Sequence, residues 1–246
     1  MMVKFFSKQI LGVSIIGIFF ASCSHSEDDK NKPDPSKGLV TYYTFDNESA
    51  DDISGKQCHG VLINNPKFIT DSPNNKGKAI FINGIKEESV NIPYNLSADS
   101  TCYSTSFWLK DFTTGKIIAS YDSGNSSAAL EFVALAESRN FQFRTAPYNS
   151  GLHIFSNYNY SSIQQGEWHH IAIVVSKDET NRDLLLYIDG KLTDRQSWRY
   201  SDSNAIKFQI GNNSEGIVSF KLDNFRLYNR SITQEEVKMI YDSEKK

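Results

Sequence analysis

The chain has 246 residues, a formal charge of −3, 13% aromatic residues and three cysteines. The aromatic and aliphatic content excludes a disordered chain, and the near-neutral charge supplies no electrostatic basis for nucleic-acid binding. Three cysteines exclude a disulfide-stapled miniprotein, and the length suits one large domain or two small ones.

Residues 1–22 read as a targeting segment. Lys4 and Lys8 form a positive start, and the apolar run Ile10 to Phe20 is too short for a membrane span of about 20 residues. Phe20-Ala21-Ser22-Cys23 resembles a bacterial lipobox, which implies cleavage before Cys23 and lipidation of that residue. The mature chain would then be anchored to a membrane without crossing it. An ordinary signal peptide or an N-terminal anchor helix that happens to contain a cysteine is the alternative. Loss of Lys4 and Lys8 takes the formal charge to −5. Glu27-Asp28-Asp29 resembles the export signal of surface lipoproteins from Bacteroides-like bacteria, which implies the outer membrane, facing the exterior. Residues 23–37 read as the lipidated cysteine and a flexible acidic tether, and 38–246 as the folded domain.

From Gly38 the pattern is one of short alternating runs bounded by Gly, Asn, Asp and Pro. Strands are expected at 40–45, at 79–82 before Asn83-Gly84, at 104–110, 116–120 and 128–135, and at 141–144. The apolar run 168–175 predicts a central strand buried on both faces. Residues 184–188 lead through the turn Asp189-Gly190 into a return strand at 191–193, and strands at 208–210 and 220–228 follow. Thr233 and Glu236 form a capping box for a C-terminal helix, with Ile232, Val237, Ile240 and Tyr241 on one stripe. There is no βαβ alternation and no internal repeat, so an all-β sandwich of two antiparallel sheets with one short C-terminal helix is expected. Trp108 and Trp168 are expected to fill the gap between the sheets. His169 and His170 point to opposite faces, and a buried structural histidine fits better than a metal ligand.

Several motifs in order carry a family resemblance. They are Gly38 to Asp46, Asp52-Ile53-Ser54-Gly55 with Cys58-His59-Gly60, Gly77 to Gly84, Ser106-Phe107-Trp108-Leu109-Lys110, Glu167-Trp168-His169-His170 with Leu186 to Lys191, and Leu222 to Arg230. Together they resemble the laminin-G-like branch of the concanavalin A-like lectin/glucanase superfamily. The resemblance implies a jelly-roll sandwich and a polysaccharide or glycan as partner. It also implies one structural calcium ion held near the paired terminal strands, with Asp46 and Asp223 as ligands and Asn47 and Asp52 as weaker candidates.

Hydrolases of that superfamily carry Glu-x-Asp-x-x-Glu on one strand, whereas the nearest stretch here has Val133 at the Asp position and Glu137 one residue too far from Glu131. A non-catalytic carbohydrate-binding module is therefore expected. A protein-binding component of a surface assembly and a diverged glycosidase are the rivals. Stacking faces for sugar are expected at Tyr148, Tyr158, Tyr160, Trp198 and Tyr200, in loops or strand ends. Cys58 and Cys102 either form a disulfide or remain buried thiols.

Overall fold

Fifteen strands and one helix occupy the residues that the computed structural model describes: 32–94, 102–121, 128–136, 138–145, 153–177, 182–198, 207–211 and 218–245. The first sheet runs β13 (Lys191–Trp198), β12 (Arg182–Ile188), β11 (His169–Lys177), β6 (Tyr103–Lys110), β15 (Ser219–Tyr228), β4 (Ala79–Asn83) and β3 (Lys67–Ile69). Strand β1 (Leu39–Tyr43) pairs with the C-terminal half of β15, and β4 with its N-terminal half. The second sheet runs β10 (His153–Asn159), β9 (Asn140–Thr145), β8 (Ala128–Ala134), β7 (Gly115–Tyr121), β14 (Lys207–Ile210), β5 (Ser89–Ile92) and β2 (Val61–Ile63). Every described pairing is antiparallel, as a two-sheet sandwich requires.

The core lies between the sheets and is built on phenylalanine. Tyr43, Phe225, Phe107, Phe132 and Phe141 form a run of rings with successive centroids 6.0, 6.2, 6.1 and 4.7 Å apart, crossing from the first sheet to the second. Neither expected tryptophan is there. Trp108 lies on the outer face of the first sheet, where its ring stacks on Tyr241 at 5.7 Å, and Trp168 stands half-buried just ahead of β11. The alternation of β6 explains the first case: Phe107 and Leu109 point inward, so Trp108 points away.

The helix α1 (Gln234–Glu244) covers that outer face. Val237 and Ile240 pack with Ile232, Tyr228, Tyr187, Ala172 and Val174 in a second apolar cluster. This is why β11 is apolar on both faces: Ile171, Ile173 and Val175 enter the main core, while Ala172 and Val174 lie under the helix. The capping box forms as expected, with Thr233 Oγ1 accepting from Glu236 N and Glu236 Oε2 accepting from Thr233 N. Glu236 also holds the chain entering the domain. Arg230 is bidentate to Glu236 at 2.7 Å and donates to the carbonyls of Lys37 and Asp34, and Asp34 N donates to Glu236 Oε1. The compact unit accordingly spans Pro33–Lys246, and residues 33–37, read from sequence as tether, belong to it. Among the described residues no helix is long and apolar enough to cross a membrane.

Four strands escape the sequence pattern. β2, β3 and β5 are three or four residues long, too short for alternation to register, and β10 is rich in Asn and Ser, which read as loop.

Candidate functional site

The outward face of the second sheet carries a cross-strand row of polar groups. Register places Asn91 of β5 beside Gln209 of β14, Gln209 beside Ala119 of β7, and Ala119 beside Glu131 of β8. Gln209 Nε2 donates to Asn91 Oδ1 at 3.0 Å and to Ser89 Oγ at 2.9 Å. Glu131 is buried and ion-paired to the equally buried Lys116 at 2.5 Å, with buried Gln142 on the neighbouring β9. A β-bulge between Lys116 and Ile118 lets Ile117 and Ile118 both enter the core and turns Lys116 outward. Buried polar groups are costly unless paired, so this face is organised around them. Asn91 and Gln209 are half-buried and lie nearest solvent. Val133, the next residue of β8 on the same face, is buried and apolar. This row is not legible in the sequence, because single polar residues in strands look like ordinary solvent-facing positions until register aligns them.

Of the five aromatic residues expected to stack on sugar, Tyr158 and Tyr160 have described side chains. Tyr160 is fully buried: its ring packs on Phe112 and Phe141, and its hydroxyl donates to the Leu135 carbonyl. It is a core residue and has no face for a ligand, because Asn159 N-caps a 3-10 turn, Tyr160–Ser162, that rotates the ring inward. Tyr158 is half-buried in β10, its ring nearly parallel to that of Phe141 at 6.5 Å. Tyr148, Tyr200 and the side chain of Trp198 lie outside the described residues, as do Cys23 and Glu137. The Cys58 thiol is free, half-buried, and 4.0 Å from the Pro93 carbonyl, and is not joined to Cys102.

The β1–β15 pairing sets the two terminal strands side by side, and Asp46, just past β1, lies near enough to Asp223 for its charge to act on it. Phe45 takes a positive φ of 59° to turn the chain after β1, and Asp46 Oδ1 then accepts from Lys78 N at 2.9 Å. Gly77 allows this approach, since a Cβ there would stand 1.8 Å from Asp46 Oδ1. Asp223 sits at a bulge in β15, 3% exposed, and accepts from Asn224 N at 2.7 Å. Burial pushes its carboxyl up to about 8 against that backbone hydrogen bond, and the neighbouring charges of Asp46 and Glu244 add to the rise. Among the described residues no cluster of three or more His, Cys, Asp or Glu forms a metal site. Asp52 is otherwise engaged: its carboxylate accepts from Tyr42 N, Ser54 N, Ser54 Oγ and Cys58 N, which accounts for the Asp-x-Ser-Gly motif as a loop brace.

Below α1, the Glu244 carboxylate accepts from Trp108 Nε1 at 2.7 Å and from Tyr42 Oη at 3.2 Å, and pairs with Arg226, whose guanidinium lies 3.6 Å over the Tyr42 ring. His170 is fully buried against Trp108, bonded through Nε2 to Ser106 Oγ at 2.8 Å, with no partner on Nδ1. Burial, with Arg226 nearby, holds its imidazole down to about 3. His169 Nδ1 lies 2.8 Å from Asp189 Oδ2, and Asp189 Oδ1 accepts from His170 N, so the turn aspartate also fixes the histidine pair.

Beside the C-terminal turn of α1 a cleft of about 200 Å³ is lined by Asp71, Asn75, Lys110, Glu167, Trp168, Tyr241 and Lys245, among others. Trp168 Nε1 donates to Asp71 Oδ1 at 2.9 Å, and Lys110 and Lys221 both contact Asp71, at 3.0 and 2.9 Å. Lys221 also bridges to Asp111 at 2.8 Å, which accepts from Gly166 N. Burial opposes ionisation of Asp71, but hydrogen bonds from Lys221, Trp168 and Lys110 bring its carboxyl down to about 2.

Residues 79–238, more than half of the chain, match the laminin G family model described as the concanavalin A-like lectin/glucanases superfamily. Among curated proteins none matches the chain. In structure it is similar to the binding domain of Paraclostridial Mosquitocidal Protein 1, with a TM-score of 0.66 at 20% identity over 85% of this chain and 53% of that one. It is similar to the binding domain of Botulinum Neurotoxin DC in complex with SialylT, with a TM-score of 0.68 at 16% identity over 85% and 52%. It is also similar to domain 4 of AbnA, a GH43 extracellular arabinanase from Geobacillus stearothermophilus, in complex with arabinotriose, with a TM-score of 0.64 at 21% identity over 82% and 98%. The chain thus aligns with about half of each toxin domain and with nearly all of the arabinanase domain.

Proposed function

This chain belongs to the concanavalin A-like lectin/glucanases superfamily, and from that premise we propose that it is a non-catalytic carbohydrate-binding domain of a lipid-anchored surface protein. The observation that carries the reading is the hydrogen-bonded row of Ser89, Asn91 and Gln209 across the outward face of the second sheet. The planar amides of Asn91 and Gln209, held to each other and to Ser89 at fixed spacing, match the donors and acceptors of sugar hydroxyls. Two domains of like fold were solved with arabinotriose and with SialylT. Against hydrolysis, a glycosidase needs two carboxylates across one cleft, whereas Glu131 is tied to Lys116 and its neighbour on that face is Val133.

A calcium ion is part of the reading. Asp46 and Asp223 supply hard oxygen donors, and backbone carbonyls and water would complete the shell. The carboxyl of buried Asp223 stays raised with Asp46 close by, although Arg226 opposes part of that rise, and this supports a cation there. When bound, the ion would neutralise the acid pair and tie β1 to β15.

The test is a glycan array on the soluble 33–246 fragment, with calcium and with EDTA, alongside Gln209→Ala and Asp223→Asn variants. Wild type is expected to bind a glycan, Gln209→Ala to weaken it, and calcium to raise the Tm of wild type but not of Asp223→Asn. A fragment that binds no glycan but captures a protein ligand replaces the carbohydrate reading with the adhesive one. Release of reducing sugar establishes a hydrolase. An unchanged Tm in EDTA removes calcium from the account.

A further inference from the structure

The cleft beside α1 is a built site, in which charged side chains from several elements serve to hold one half-exposed indole. Trp168 precedes β11, Asp71 follows β3, Lys110 ends β6, Lys221 belongs to β15, and Tyr241 and Lys245 come from the last turn of α1 and just beyond it. The Nε1–H of Trp168 is fixed on Asp71, Asp71 is clamped by two ammonium groups, and Lys110 Nζ also stands 5.9 Å from the centre of the indole ring. Glu167 and Asn75 are exposed at the rim, and Lys245 lies over the Tyr241 ring at 4.9 Å. These partly buried charges form one network, and what the network holds in place is the indole. A large ring immobilised before a ligand arrives does have a use, because its ordering cost is already met.

The lining decides the ligand class. Two carboxylates, Asp71 and Glu167, face two ammonium groups, Lys110 and Lys245, so the cleft favours neither anion nor cation. It offers aromatic faces together with carboxylate, amide and ammonium groups, the combination that suits a ring with one apolar face and hydroxyls at its edge. We propose that this cleft binds one neutral sugar ring, stacked on Trp168 with its hydroxyls on Glu167, Asn75 and Lys245. The inference rests on the carbohydrate reading above, and assigns a subsite on the first sheet, apart from the polar row of the second.

The test is titration of the 33–246 fragment with methyl glycosides of neutral hexoses and pentoses, following the indole N–H signals of its three tryptophans by NMR. Each signal is assigned from a Trp→Phe variant. Saturable movement of the Trp168 signal is expected, with affinity reduced about tenfold or more in Trp168→Ala and several-fold in Glu167→Gln. The second variant lies on an exposed side chain outside the Asp71 network, so it keeps the test valid if Trp168→Ala fails to fold. Movement of the Trp198 signal alone, or loss of binding in Gln209→Ala but not in Trp168→Ala, overturns this subsite while leaving the carbohydrate reading intact. Preference for a uronate or an amino sugar over the neutral glycosides overturns the ligand class. A fragment that binds no glycan in either assay overturns both.

Discussion

Burial changes what His170 and Asp223 contribute, and in opposite directions. The unfolded chain protonates His170 below about 6.5, whereas the folded imidazole stays neutral until about 3, so stability falls as pH drops through that window. The expected loss between pH 7 and pH 5 is about 2 kcal/mol. Asp223 acts the other way: its raised carboxyl contributes stability at low pH that is lost as pH rises from about 4 to about 8 in the metal-free protein. The histidine effect is therefore read as the difference in urea-denaturation free energy between wild type and His170→Gln at the two pH values. Equal pH dependence in both proteins would show that His170 is protonated in the fold. From sequence, the pair His169-His170 revealed only that the two side chains point to opposite faces, so that at most one faces the core. That His170 is the buried one, on the outer face of the first sheet under α1 and with its Nδ1 unpartnered, followed from the helix lying over that face.

At the scale of the element, α1 is stapled at both ends. Its first turn has the capping box and the Arg230–Glu236 pair, both with acids where the helix dipole favours them. Its last turn ends in Glu244, a sign the dipole disfavours, offset by Arg226, Trp108 and Tyr42. Glu244→Ala leaves the buried Arg226 without its counter-charge and is expected to cost about 3 kcal/mol, against about 1 kcal/mol for Thr233→Ala at the cap. Urea denaturation of the two variants checks the order, and a Glu244→Ala loss no larger than that of Thr233→Ala would mean the staple is ornamental. The capping box was legible because it is local, with Thr233 and Glu236 three residues apart. The Glu244 staple was not, because Trp108 and Glu244 are 136 residues apart and neither residue type signals the other.

For the molecule as a whole, the docking of Asp34 and Lys37 on Arg230 sets where the domain begins, and with it how much chain remains between the fold and Cys23. Cys23→Ala is expected to move the protein from the membrane to the soluble fraction without changing its Tm, because among the described residues the contacts that hold the start of the domain come from Asp34 and Lys37. Retention in membranes after carbonate washing would refute the lipid anchor. Alternation, turn dipeptides and the order of motifs in the sequence determined an all-β sandwich of the concanavalin A-like superfamily with one C-terminal helix, since these signals are local and repeat at the period of the strand. The expected pairing of the end strands also formed, with β1 beside β15. Only the tertiary structure decided which aromatic residues are core and which are surface. Tyr160 went into the core, Trp108 under the helix and Trp168 to a cleft, because a ring's exposure depends on what other elements bring against it. The polar row of the second sheet was likewise decided by strand register, a relation between distant segments that no single window of sequence contains.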